Sequence, residues 1–325
     1  MELKQSVLAF LENNRGKSIS GAKLAIELNV TRSAVWKAIK ALQGEGYSIL
    51  AITNKGYCLS EETDILSTES IKPFLRGQAK EMQVEVFKTI DSTNTYAKKL
   101  AQNGAVQGTV IVSEEQSAGR GRLGRSFYSP ASTGIYMSVI LRPKLSIEHS
   151  LLITTSVAVA VSKAIETLAR IDTKIKWVND IYFNEKKLCG ILCEASIDFE
   201  SGGLEYAIVG IGINVSTLKD EFPANLKEIA TSIFPNNDAK PIRSELIAEI
   251  LNNISQCYDD ISNKSFLEEY KKRSFLLGQE IFVINGEKSD EATAIDIDEK
   301  AQLVVKFKDG SIKTLSSGEV SVRKK

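Results

Sequence analysis

The segment Gly119-Arg120-Gly121-Arg122-Leu123-Gly124-Arg125 sets three arginines among three glycines within seven residues. That mixture suits an anion. Glycine lets backbone N–H groups approach closely, and guanidinium forks neutralise a carboxylate or phosphate bidentately. The glycines also satisfy G-x-G-x-x-G spacing, but a dinucleotide fingerprint opens a helix and needs an acidic residue about 20 positions on. Here the chain continues as SFYSPASTGIYMSVILRP, with Pro130 and then strand-like apolar residues, and no Asp or Glu occurs between Gln116 and Ile147. No Gly-Lys-Ser/Thr follows, so the Walker pattern is absent as well. The expectation is a flexible cationic loop between strands, with a merely solvated basic loop as the bland alternative.

Other chemistries are narrowed by what the chain lacks. His149 is the sole histidine and reads as a loop or helix-start residue, which leaves no Ser–His or Cys–His system unless it serves one. Cys58, Cys189, Cys193 and Cys257 are scattered, and the 189/193 pair has no second pair to complete a zinc site. No metal ligands are assigned, and a reduced intracellular protein is expected. Catalysis must therefore rest on Arg, Lys, backbone amides and carboxylates. Three further clusters offer them: Asp91-Ser92-Thr93-Asn94, the run Lys176-Trp177-Val178-Asn179-Asp180 with Lys186-Lys187-Leu188-Cys189-Gly190-Ile191-Leu192, and Ile208–Val215 with its paired glycines. Singly each has an ordinary reading: a helix N-cap, a core tryptophan beside a turn, a buried strand.

The elements that must position these groups alternate between strand and helix. VEVFKTI reads as a strand followed by a helix through Tyr96–Ala101, GTVIVSEEQ as the next strand, and Asn184-Glu185-Lys186 as a turn between two more. Residues 242–273 are helical, with Leu246, Ile250 and Ile254 at four-residue spacing. From Gly278 short strands (EIFVIN, ATAIDI, QLVVKFK, SIKTL) suggest a small SH3-like barrel. A length of 325 residues predicts two or three compact units, and 43% hydrophobic with 25% charged residues is ordinary globular composition. No signal-peptide pattern and no uninterrupted apolar stretch of about 18 residues is seen, so no membrane role and a cytoplasmic location are expected.

The formal net charge is +0, so any nucleic-acid binding needs a local patch. The first 60 residues hold eight Lys/Arg against four Asp/Glu, a net of +4. Leu3, Val7, Leu8 and Leu11 mark a first helix, Ser20 caps a second that buries Leu24, Ala25 and Leu28, and Thr31 caps a third with Val35, Ile39 and Leu42 inside. Thr31 at the cap and Arg32, Ser33, Trp36, Lys37 and Lys40 on the outer face form what a major-groove helix needs. Strands Tyr47–Ile52 and Gly56–Leu59 would form the wing of a winged helix-turn-helix; a helical protein-interaction domain is the bland alternative. Glu61–Ser70 is polar and acidic and reads as a linker.

DSTN, then GRGRLGR, then KWVNDIYFNEKKLCGILCE, then GIGINV, in that order, resembles the biotin–protein ligase family. The winged helix ahead of them resembles its bifunctional members, the biotin operon repressors, and the ending SSGEVSVR resembles the close of the family's C-terminal barrel. The resemblance spans nearly the whole chain. It implies an α/β multidomain (α+β) protein: residues 1–62 a winged helix-turn-helix, 63–274 a ligase core with a mixed sheet, and 275–325 an SH3-like β-barrel.

The resemblance also implies roles. Ser92, Thr93, Asn94 and Gln116 would contact biotin, and Arg120, Gly121 and Arg122 would close over biotin and the adenylate phosphate. Lys187 would hold the carboxylate. Asn179, Asn214 and Phe127 would contact the nucleotide, with Arg323 reaching it from the C-terminal domain. ATP, carried with Mg2+, would be attacked by the biotin carboxylate, with Lys187 and Arg122 offsetting the repulsion of two anions. A lysine of a biotin carboxyl carrier protein domain would then attack the adenylate, with Asp180 orienting that amine or taking its proton.

Leu123, Phe127 and Val178 depart from the common family pattern of Arg, Trp and Pro; Val178 should loosen its turn slightly. The family further implies a homodimer formed on biotinyl-AMP that reads a palindromic operator DNA. Lipoate–protein ligation, or a catalytically dead ligand-responsive repressor, are the alternatives.

Overall fold

Three short helices open the chain: α1 (Leu3–Glu12), α2 (Gly21–Glu27) and α3 (Arg32–Gly44). Val7, Leu8 and Leu11 face inward from α1, and Val35, Ile39 and Leu42 from α3, as the spacing predicts. Both caps form: Ser20 Oγ accepts from the Lys23 amide at 3.1 Å and Thr31 Oγ1 from the Ala34 amide at 3.2 Å. A hairpin of β1 (Ile49–Ile52) and β2 (Gly56–Leu59) follows. Strand β1 opens at Ile49 rather than at Tyr47, because the Tyr47 amide donates to the Leu42 carbonyl at the end of α3 at 3.1 Å instead of to the neighbouring strand. Gly56 has to be glycine: its φ is +103°, and a Cβ there would lie 2.1 Å from the Ile19 carbonyl oxygen.

This computed structural model describes residues 3–198, 202–236, 238–285 and 288–316, and the backbone of 321–324. The Glu61–Ser70 stretch is not the free tether its polarity suggests. Arg15 Nη1 donates to the Thr63 carbonyl at 2.6 Å, and the next residue, Asp64, accepts from Arg243 Nε at 2.7 Å. Leu66 donates its amide to Glu114 at 2.8 Å, and Ser67 and Ser70 close a capping box on the short α4 (Thr68–Ile71). Polar groups taken out of water must be hydrogen-bonded, and here the partners come from elements far along the chain.

The central sheet has seven strands in the order β3-β4-β5-β9-β8-β7-β6. Strands β3 (Gln83–Ile90) and β4 (Thr109–Gln116) are parallel, joined through helix α5 (Thr93–Gln102); the remaining pairings are antiparallel, so the sheet is mixed. They involve β5 (Gly134–Leu141), β6 (Lys174–Lys176), β7 (Asp180–Phe183), β8 (Lys186–Ile197) and β9 (Leu204–Asn214). Helix α5 covers one face through Ala97 and Ala101; α6 (Ser150–Ala169) and α7 (Arg243–Asp259) cover the other. Every residue of β5 is buried, as a central strand between two layers requires. Helix α6 is long and apolar enough to cross a membrane by composition, but most of it is buried as the core helix. His149 precedes α6 with its Nδ1 2.8 Å from Ser146 Oγ, the helix-start position expected of it.

After α8 (Phe266–Arg273) comes a five-stranded antiparallel sheet in the order β13-β12-β11-β10-β14. Its strands are β10 (Glu280–Asn285), β11 (Lys288–Ile297), β12 (Leu303–Phe307), β13 (Ile312–Leu315) and β14 (Ser321–Lys324). Trp177 Nε1 donates to the Ala301 carbonyl at 3.0 Å, and Ile281, Ala294 and Leu303 join the apolar core of the central unit. The Val178 carbonyl accepts from Tyr270 Oη at 3.0 Å, and Val178 is buried.

Candidate active site

Helix α5 starts just after β3 ends, which brings Thr93 to the end of β4 and Asn94 over the middle of β8 and β9. Ser92 is the N-cap, with Asp91 Oδ1 accepting the Ser92 amide at 2.6 Å. Thr93 donates both its amide (2.9 Å) and its hydroxyl (3.1 Å) to Gln116 Oε1, while Gln116 Nε2 donates to Ser129 Oγ at 3.0 Å. The carboxamide of Gln116 is therefore fixed in orientation. Asn94 donates to Glu194 Oε2 at 2.9 Å, and its Oδ1 lies 2.7 Å from Ser138 Oγ.

Glycines make this slot. Gly190 and Gly212 are cross-strand partners on β8 and β9, and Gly210 is one pleat away on the same face as Gly212. A Cβ at Gly210 would come 2.0 Å from Asn94 Oδ1, and one at Gly212 would come 2.6 Å from the Phe127 ring. Phe127 thus lies over Gly190 and Gly212, edge-on to Tyr136 with ring centres 6.4 Å apart. Between Ser92, Thr93, Asn94, Gln116, Arg120 and Phe127 there is only about 30 Å³ of free room.

Next to the slot opens a cavity of about 1130 Å³, which brings together Arg120, Gly121, Arg122, Phe127, Asn179, Asp180, Lys187 and Asn214. The arginine loop does lie between strands, closed by the Gly121 amide donating to the Arg125 carbonyl at 2.7 Å. Leu123, at its tip, adopts a left-handed φ of 55° and is 73% exposed. Arg122 Nη1 donates to Asn179 Oδ1 at 2.8 Å, and Asn179 Nδ2 donates to the Ile191 carbonyl at 2.7 Å. Burial pulls the Arg122 guanidinium below its ordinary pKa, Asp180 works against that, and Arg125 adds a smaller push downward. Lys187 Nζ is 2.7 Å from Asp180 Oδ1, the two meeting across the β7–β8 hairpin. Asn214 Nδ2 donates to the Thr231 carbonyl at 3.0 Å.

Several site residues escaped the sequence reading. Ser138 sits in a strand with no motif of its own, and Glu194 closes the KWVNDIYFNEKKLCGILCE motif without having been given a role. The segment with Phe222, Leu226 and Ile229 forms a cavity wall, strapped to β8 by the Lys187 amide donating to the Ile229 carbonyl at 2.8 Å. Its only sequence signal is an apolar residue every three or four positions in an otherwise polar stretch. Arg323 lies on β14, its backbone paired with Phe282, but its side chain is outside the described residues. Among the described residues no cluster of three or more His, Cys, Asp or Glu side chains could hold a metal ion. All four cysteines are free thiols.

On the N-terminal domain, Thr31, Arg32, Ser33, Trp36, Lys37 and Lys40 are all exposed along one side of α3, Trp36 by 52%. Thr31 spends its hydroxyl oxygen on the cap and lies 3.0 Å from Ser33 Oγ.

A helix-turn-helix with a hairpin, a mixed-sheet core with a cationic loop over a cavity, and a small antiparallel C-terminal sheet together define a ligand-activating enzyme with an appended DNA-binding unit. Comparison with known proteins agrees domain by domain. Residues 86–214 match the biotin/lipoate A/B protein ligase family, 4–58 an HTH domain, and 276–323 the biotin protein ligase C-terminal domain. The bifunctional ligase/repressor BirA of Bacillus spizizenii is 35% identical over 98% of both chains, and that of Escherichia coli K12 is 28% identical over 98% of this chain and 96% of its own. A biotin protein ligase from Aquifex aeolicus, solved with biotin and ATP, superposes with a TM-score of 0.62 at 32% identity, covering 75% of this chain and 99% of the other. The chain belongs to the biotin protein ligase family, and the relatives that match it end to end are bifunctional ligase/repressors.

Proposed function

We propose that the protein is an ATP-dependent biotin–protein ligase that also represses transcription by binding DNA. The observation that carries the ligase reading is the cavity in which Arg122 and Lys187 converge beside a slot lined by Ser92, Thr93, Asn94 and Gln116. A carboxylate and a triphosphate brought together repel, and two cations in a partly dry site offset that repulsion and the charge on the phosphorus as the carboxylate attacks. Mg2+ would enter with ATP as part of the substrate and shield the charge of the triphosphate. Because the slot holds so little free room, Phe127 and Arg120 have to shift for a bicyclic ring to enter, and the loop then covers the hydrolysable adenylate.

The acceptor in this reading is a lysine of a biotin carboxyl carrier domain, and Asp180 orients its amine or takes its proton. Asn179, Phe127, Asn214 and Arg323 are assigned to the nucleotide. The free thiols fit a cytoplasmic protein. The boundaries 1–62, 63–274 and 275–325 are retained for the three units. The exposed face of α3 reads one half-site, and a homodimer formed on biotinyl-AMP reads a palindrome.

The test supplies the purified chain with ATP, Mg2+, a biotin carboxyl carrier domain and either biotin or lipoate. Transfer of biotin to the acceptor lysine is expected; transfer of lipoate alone, or of neither, would overturn the reading. Biotinyl-AMP should also raise both self-association and operator affinity, and equal operator binding with and without it would remove the switch.

A further inference from the structure

We propose that Glu194 is a positioning residue for biotin, setting which end of the Asn94 carboxamide faces the ligand and latching Arg120 beside it. The proposal rests on the ligase reading above. Gly190, Leu192 and Glu194 alternate along β8 and so share the face that α5 covers. Glu194 stands at the rim of the slot rather than in its wall. Its Oε2 accepts from Asn94 Nδ2 at 2.9 Å, and its Oε1 is 3.2 Å from Arg120 Nη1.

An ionised carboxylate only accepts hydrogen bonds, so it admits only the NH2 end of a carboxamide. The Leu192 carbonyl, 3.4 Å from the same Nδ2, makes the same demand more weakly. Asn94 is buried and its Oδ1 lies over Gly210, where a Cβ would stand 2.0 Å from it, and 2.7 Å from Ser138 Oγ. A carbonyl oxygen has two lone pairs; Ser138 takes one, and the other is left for an N–H donor. The bicyclic head of biotin is a cyclic urea with two such donors. Glu194 thereby makes the slot an acceptor at this point, although it touches no ligand. The Arg120 contact is a half-exposed ion pair of the kind that forms and breaks easily, so it can hold the loop over bound ligand without freezing it.

Neutral glutamine of the same shape tests this. In Glu194→Gln the new amide can present either end to Asn94, the asparagine is free to flip, and the charge opposite Arg120 is gone. The KM for biotin should rise about tenfold, the loss of roughly one good hydrogen bond, while the KM for ATP, kcat for biotin-dependent pyrophosphate release and the melting temperature stay within error of the parent. A biotin methylated on a urea nitrogen gives a second measurement. Methylation should weaken binding to the parent markedly and to Glu194→Gln much less, because the acceptor it would lose is already compromised. An unchanged KM for biotin, or a KM for ATP and a melting temperature that fall away together with it, would overturn the positioning role. A parent enzyme that releases no pyrophosphate with biotin would instead overturn the ligase reading, and this proposal with it.

Discussion

Arg243 and Arg122 are both drawn out of bulk water, and their surroundings use the charge in opposite ways. Arg243 is only 1% exposed and sits at the start of α7, where the helix dipole disfavours a cation. It is held by Asp64 and Glu114 at 2.7 Å each and by the carbonyls of Asp64 and Gly134. Burial would lower its pKa, but the two carboxylates outweigh burial and raise it. Arg122 bonds a neutral amide, Asn179, while the nearby Asp180 is already engaged by Lys187. Burial wins there and its pKa is lowered. A guanidinium buried between two carboxylates is a strut; one that lines the large cavity together with Lys187 is placed to meet a ligand.

Removing the strut should give the largest effect. Arg243→Met leaves Asp64 and Glu114 without their counter-ion and should lower unfolding free energy by about 3–5 kcal/mol in urea titration. Adding Asp64→Asn and Glu114→Gln should recover much of that loss. A single-variant cost under about 1 kcal/mol would end the distinction drawn between the two arginines.

Arg122→Ala should do the reverse: biotinyl-AMP formation slows about 10²–10³-fold with the urea midpoint unchanged. Lys187→Ala should behave similarly. Full activity in both variants would break the charge-offset mechanism.

A third arginine sharpens the comparison at its weak end. Arg273 pairs with Glu166 and Glu269 near the surface. Burial alone would raise the Glu166 carboxyl, but hydrogen bonds from Arg273 and Thr173 outweigh it and hold it below the ordinary range. A depressed carboxylate contributes stability that is present above its unfolded pKa and is lost as pH falls through the folded one. The melting temperature of Glu166→Gln should therefore fall less than the parent's between about pH 5 and pH 3. The difference at neutral pH should be small, on the order of 2 °C. Parallel pH profiles would show that the pair contributes nothing.

The same contrast explains what could be read in advance. The arginine loop, the DSTN cap and the outer face of α3 were legible because residues close in sequence act together there, and glycine, cap and helical periodicity are local signals. The strut was not. Asp64, Glu114 and Arg243 lie on three elements, and Asp64 inside an acidic stretch looked like any linker residue. Glu194 was missed for a similar reason, since its partners Asn94 and Arg120 reach it only through the sheet.

From residue order alone came the helix caps, the inward faces of α1 and α3, and the sequence of helix-turn-helix, mixed-sheet core and C-terminal strands, all consequences of side-chain chemistry and local backbone preference. The tertiary structure decided which charges are spent on each other and which remain for a ligand. That balance depends on burial and on neighbours brought together by strand pairing, neither of which a linear chain displays.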